Sequence, residues 1–141
     1  MRIDVEELTS RSGDLLDLEV VERKGLGHPD TICDALAEAL SLAISRRSLE
    51  CFGRVLHHNV DKALLWGGVA KPSFGAGEII QPMEIFLAGR AHTEMGGTSF
   101  AVDELAGEIA QGWFADNVAT IDPKRDVKVH SLVRLGSADL V

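Results

Sequence analysis

The chain has 141 residues, of which 45% are hydrophobic and 26% charged, and its formal net charge is −8 at pH 7. That composition excludes a disordered chain and fits one ordinary domain over residues 1–141 with a core of its own. The acidic balance disfavours nucleic acid or an anionic membrane as the main partner, yet a small group of cations and backbone N–H groups can still hold a phosphate.

The two cysteines, Cys33 and Cys51, form no CxxC pair, so no zinc framework is expected, and Cys33 reads as a reduced core thiol. The first residues are acidic and lack the apolar stretch of a signal peptide. No apolar run approaches a membrane span, so a cytoplasmic location is expected.

In chain order, residues 15–21 alternate as a strand, with Leu16, Leu18 and Val20 set against Asp17, Glu19 and Val21. Lys24-Gly25-Leu26-Gly27 makes a turn. A helix is predicted over 29–50. Pro29 suits its first position, where a missing N–H costs nothing. Thr31 and Asp34 match a capping box and would mark a different start. Ile32, Leu36, Ala39, Leu40, Ala43 and Ile44 form its buried face. Arg46 and Arg47 suit the C-terminal end of the helix dipole, and Gly53 stops the helix.

Residues 54–58 and 63–66 read as strands and 71–77 as a Pro/Gly loop. Residues 83–88 read as a further strand, with Pro82 tolerated at its start. After Gly96-Gly97 a second helix is predicted over 102–114, with Leu105, Ile109 and Trp113 spaced by four. Gly107 and Gly112 weaken it by about 1 kcal/mol each. Residues 127–133 alternate as the last strand. The order is β-α-β-β-α-β, an α+β fold with two helices on one face of a mainly antiparallel sheet. The chain stops at Leu140-Val141 without a polar tail, and a truncation is expected there.

Chemistry concentrates in residues 22–30. Two glycines precede a helix N-terminus, whose free N–H groups suit a phosphate. Lys24, Arg23 and His28 are possible donors to its oxygens. Glu22 and Asp30 bracket the turn as hard oxygen ligands of the kind that hold Mg²⁺. The plainer alternatives stand beside this. A Gly-x-Gly before a helix need bind nothing, Asp30 also favours the helix dipole, and His28 also serves as a cap. No Walker A sequence and no GxGxxG is present.

The segment VERKGLGHPDTICDALAEAL closely resembles the N-terminal part of archaeal-type S-adenosylmethionine synthetases (methionine adenosyltransferases). So do LHHNVDKALLWGG, the loop Lys71-Pro72-Ser73-Phe74-Gly75-Ala76-Gly77-Glu78, the stretch from Gln81 to Ala91, and the closing Gly136-Ser137-Ala138-Asp139-Leu140-Val141. The resemblance runs from about Asp17 to the end and covers roughly the family's first third.

It implies attack of the methionine sulfur on C5′ of ATP, with loss of the triphosphate and its hydrolysis. Proximity and preorganised charge drive such a step. It implies that His28 assists departure of the C5′ oxygen, that Asp30 and Glu22 serve Mg²⁺, and that Lys24, Gly25 and Gly27 lie along the triphosphate. Asn59 and Asp61 would fall in the region serving methionine and a monovalent cation such as K⁺. ATP and L-methionine are the implied substrates, and a homodimer or a complementary synthetase chain the implied partner.

Adjacent His57 and His58 point to opposite faces, one buried and one toward the site, neither catalytic. Asp34 and Glu38 continue the Asp30 face, as a solvated stripe or, for Asp34, as support to the site. Arg90 with Glu84 reads as a cross-strand charge arrangement or an interface feature. Two departures count against unaided activity. Leu135 stands where the family has a glutamine that helps hold methionine, and leucine offers no hydrogen bond. The family's later catalytic segments are also missing. A non-catalytic assembly partner and a degenerate remnant are therefore the competing readings.

Overall fold

The computed structural model describes residues 3–7, 18 and 20–137. The expected strand 15–21 lies mostly outside them. Its described members, Leu18, Val20 and Val21, are exposed and carry no regular structure.

The first described element is α1, Pro29–Phe52. Pro29 opens it as expected, and Gly53 ends it in the left-handed region at φ 72°, its N–H bonded to the Leu49 carbonyl. Ile32, Leu36, Leu40, Ala43, Ile44 and Ser48 point into the core. Neither Thr31 nor Asp34 caps the helix. The His28 ring does so instead.

Six strands lie between α1 and the next helix: β1 (His58–Trp66), β2 (Val69–Ser73), β3 (Ala76–Gln81), β4 (Met83–Ala91), β5 (Glu94–Met95) and β6 (Thr98–Ser99). Then come α2 (Val102–Asn117), the short α3 (Pro123–Asp126) and β7 (Val127–Arg134). Strands β1, β4 and β7 form the central sheet in the order β1-β4-β7, while β2–β3 and β5–β6 are separate hairpins. Both long helices lie on one face of the sheet, with α1 against β1, α2 against β7, and the two helices against each other. Three of the four described strand pairings are antiparallel. The α+β class is borne out. The parallel β4–β7 pair departs from the expected pattern, and the α2 crossover is what permits it.

Three local expectations need correction. Residues 54–57 are not a strand, because β1 begins only at His58. Residues 71–77 are not an open loop but most of a hairpin, β2–β3, whose strands are almost wholly exposed. Hydrophobic alternation marks only a half-buried strand, so this ribbon leaves no such trace. Arg90 and Glu84 do not meet. Arg90 Nη1 donates to the Leu135 carbonyl at 3.1 Å, and Glu84 Oε2 lies 2.8 Å from His130 Nε2.

The core joins Leu36, Leu40 and Ile44 of α1 to Ile85, Leu87 and Ala91 of β4, to Ala106, Ala110 and Phe114 of α2, and to Val127 and Val133 of β7. No described helix lies over the opposite sheet face. Leu64, Trp66 and Leu132 are exposed there, and Phe86 stacks on the His130 ring at 4.5 Å.

The β1–β4 register slips between Val60 and Lys62, which leaves Asp61 as a bulge. Opposite it is Gly89, where a Cβ would come within 2.0 Å of the Asn59 carbonyl oxygen and 2.9 Å of Val60 Cα. These are backbone atoms that cannot turn aside. Gly89→Ala should therefore cost about 1–3 kcal/mol in urea denaturation and shift the amide resonances of Asn59 and Asp61.

Asp126 ends α3 just before β7, buried, with its carboxylate accepting from Arg125 Nε (2.6 Å), Arg125 Nη2 (2.8 Å) and the Asp122 N–H (2.9 Å). The Arg125 hydrogen bonds hold its carboxyl below the usual carboxylate range, against the opposing effect of burial. A depressed folded-state pKa gives stability above the unfolded value, which is lost as pH falls through the folded one. Asp126→Asn should therefore be clearly less stable than the parent at pH 7. Thermal melts should show that gap shrinking as pH falls below about 4.

Candidate functional site

Two neighbouring places gather the expected site residues. The first is the turn leading into α1. The His28 N–H donates to the Gly25 carbonyl at 3.0 Å and closes the turn. The Asp30 N–H donates to His28 Nδ1 at 3.1 Å. That bond fixes the tautomer: Nδ1 carries a lone pair, so in a neutral ring the proton sits on Nε2. The Ile32 N–H bonds the His28 carbonyl, while the Thr31 N–H has no partner among the described residues.

Lys24 Nζ donates to Asp30 Oδ2, and both side chains are more than half exposed. The Lys24 ammonium, through this hydrogen bond and then through its charge, holds the Asp30 carboxyl below the usual carboxylate range. Glu22 is exposed and makes no hydrogen bond or ion pair among the described residues. Neither Gly25 nor Gly27 has a left-handed backbone, and a Cβ on either would meet nothing within 4 Å. The fold of this chain does not itself require glycine at these positions, and they leave open space above the turn.

The second place is a groove of about 470 Å³ between α1 and β1. Cys33, Asp34, Glu38 and Ser41 line one wall, and His58 to Ala63, including Asn59 and Asp61, line the other. Asp34 lies one helical turn beyond Asp30, about 6 Å along the axis, so the groove opens beside the turn. The bulged residue Asp61 is among those lining the groove. Lys62 Nζ lies 3.1 Å from Asp61 Oδ2. Asn59 and Asp61 thus share the groove, while Lys24, Gly25, Gly27, His28 and Asp30 share the turn.

His58 is half-buried. Its Nδ1 lies 3.0 Å from the Leu56 carbonyl and its Nε2 3.1 Å from Ser41 Oγ, so it ties β1 to α1. Ser45 Oγ, 3.3 Å from the same nitrogen, donates to the Ser41 carbonyl. His57 is exposed and edge-on to the buried His92 ring at 6.4 Å. Cys33 is half-buried rather than a core thiol. Burial first, then the Asp30 and Asp34 carboxylates, push its pKa up, which keeps the thiol protonated and unreactive.

The sequence offered the His28 cap only as an alternative to a ligand role, and it did not show the Lys24–Asp30 pair. The positions, two and six residues apart, were legible as neighbours. Nothing in the sequence favoured ring capping over a free imidazole.

The family model described as S-adenosylmethionine synthetase (AdoMet synthetase) matches residues 1–141. The chain belongs to the S-adenosylmethionine synthetase family. It is 54% identical over 125 residues to the probable S-adenosylmethionine synthase of Aquifex aeolicus, covering 89% of this chain and 31% of that protein. It is 46% identical to the S-adenosylmethionine synthase of Aeropyrum pernix, over 99% of this chain and 36% of that protein. The Methanothrix thermoacetophila synthase is 44% identical over 98% of this chain and 35% of its own length. The chain thus spans about a third of the length of these relatives.

An oxygen-seeking ion such as Mg²⁺ fits the donor set of the turn, whose available ligands are carboxylates. Among the described residues no three His, Cys, Asp or Glu side chains cluster to hold an ion, so the chain's own donors make only part of a shell. Mg²⁺ bound through one or two carboxylates, with waters and phosphate oxygens completing the shell, is the case that matches.

The two roles of the His28 ring can be separated. Asn is a good N-cap and Ala a poor one. His28→Ala should lower stability by about 1 kcal/mol, and His28→Asn should leave it nearly unchanged, both read by thermal melts.

Proposed function

We propose that residues 22–30 receive Mg²⁺ and the triphosphate of ATP, as one part of a site at which the complete protein makes S-adenosylmethionine from ATP and L-methionine. The observation that carries this reading is the His28 cap. With Nδ1 engaged by the helix, the ring presents Nε2–H as a fixed donor, beside the Lys24 ammonium and an unpartnered Thr31 N–H. Three donors on one turn suit an anion.

In this reading His28 Nε2–H donates to the oxygen leaving C5′ and stabilises the charge that grows there. Lys24 pairs with a phosphate oxygen, and Gly25 and Gly27 leave room for the chain of phosphates. Asp30 and Glu22 would hold Mg²⁺, which when bound neutralises charge on the triphosphate. Asn59 and Asp61, in the adjoining groove, serve methionine and the monovalent ion K⁺. Leu135 provides no hydrogen bond to methionine. This chain by itself is accordingly expected to bind nucleotide without turning it over. No described helix is long and apolar enough to cross a membrane, and a cytoplasmic setting belongs to the same reading.

The sheet face that no described helix covers favours a second element of the proposal. Exposed Leu64, Trp66 and Leu132 suit contact with a second copy or with a complementary synthetase chain.

Isothermal titration of the purified chain with Mg²⁺–ATP tests the first element. Parent protein should bind, and His28→Asn, with its fold kept, should bind about tenfold or more weakly, the loss of a hydrogen bond to a charged group. Equal binding by both would remove His28 from the site. S-adenosylmethionine should form only when the complementary segments of a synthetase are supplied. Product from the isolated chain above a His28→Ala control would overturn the half-site reading.

A further inference from the structure

The turn into α1 contains a contact that the proposed binding mode must break. Lys24 Nζ is bonded to Asp30 Oδ2, so the ammonium expected to hold phosphate is bound to the carboxylate expected to hold the ion. A free cation approaching Asp30 meets Lys24. A free anion approaching Lys24 meets Asp30. A metal–triphosphate complex brings both partners at once and exchanges one ion pair for two.

Resting on the Mg²⁺–triphosphate reading above, we propose that Lys24 is a placeholder on Asp30 that makes the turn select a preformed metal–triphosphate complex over either ion alone. Lys24 then determines specificity and is not a catalytic residue. The pair is well suited to this. Both side chains are more than half exposed, at 53% and 60%, so the exchange needs no movement of the core. Exposed ion pairs of this kind correspond to about a two- to fivefold change in an equilibrium, small enough to be displaced and large enough to discriminate. By linkage, the metal must favour triphosphate binding by the same factor as triphosphate favours the metal.

The test uses the whole chain and three probes: Mn²⁺ alone, inorganic tripolyphosphate alone, and Mg²⁺–tripolyphosphate. Affinity for Mn²⁺ is read from paramagnetic broadening of the Asp30 amide, and affinity for the other two from calorimetry. Lys24→Met should bind Mn²⁺ alone about two- to fivefold more tightly than the parent and the Mg²⁺ complex more weakly. Lys24→Arg, which keeps the pair, should follow the parent. Arg23→Met removes the same charge one residue away without touching the pair, and should change Mn²⁺ binding less.

If Lys24→Met weakens the complex but leaves Mn²⁺ binding unchanged, Lys24 is a phosphate ligand only, and the placeholder is overturned while the site reading survives. Equal gains in Arg23→Met and Lys24→Met would reduce the effect to general charge and overturn it as well. If the parent binds no Mg²⁺–tripolyphosphate at all, both the site reading and the placeholder fall.

Discussion

The rotation of α1 about its own axis is the constraint on which the rest depends. Leu36, Leu40 and Ile44 are fully buried, so they fix which side of the helix meets the sheet. At 100° per residue, that choice sends Asp30, Asp34 and Glu38 to the outer flank, where all three are exposed. The core therefore decides where the carboxylates stand before any ligand is considered. The start of α1 decides the rest. Pro29 cannot offer an N–H, and the His28 ring satisfies the next one, so the first turn, Lys24 and the imidazole are held as a unit.

Much of this was legible in the sequence, and the exceptions share a cause. Pro29 and Gly53 mark the two ends of α1 because each acts through its own backbone. The second helix and the strand β7 follow from periodicity, since each buries one face. What escaped depends on partners far away in the chain. The β2–β3 ribbon is held by cross-strand pairing on an exposed hairpin, so Pro72, Gly75 and Gly77 suggested a loop. The Asp61 bulge exists because of how β1 meets β4, and only the register reveals Gly89 as its counterpart. The site shows the same division. Its residue types were readable from residues 22–30, but the ring cap and the ion pair are matters of geometry.

The division into turn and groove bears on what one chain can do. The Cys33 thiol lies near the Leu65 backbone, so the start of α1 stands at the Leu65–Trp66 end of β1. Asn59 lies six residues back along β1, about 20 Å at strand spacing. Arg90 is its register partner, and Arg90 in turn holds the Leu135 carbonyl. Asn59, Arg90 and Leu135 therefore share the end of the sheet away from His28. A methionine whose sulfur reaches C5′ beside His28 does not extend to Asn59 of the same chain, so in the proposed reading Asn59 would act at the site of a second copy.

Charge sharpens the point. Within residues 22–30 the cations Arg23 and Lys24 are balanced by the anions Glu22 and Asp30, on a chain whose formal net charge is −8. The turn has no positive field of its own with which to draw a triphosphate from solution. What it has are directed donors, the imidazole Nε2–H, the Thr31 N–H and an ammonium paired with Asp30. Such donors recognise an anion at contact distance but do not attract one from afar. A ligand whose charge is already largely cancelled by its metal approaches this surface with the least repulsion. The acidic balance that counts against nucleic acid as a partner would, on the proposed reading, also limit the form in which a triphosphate arrives.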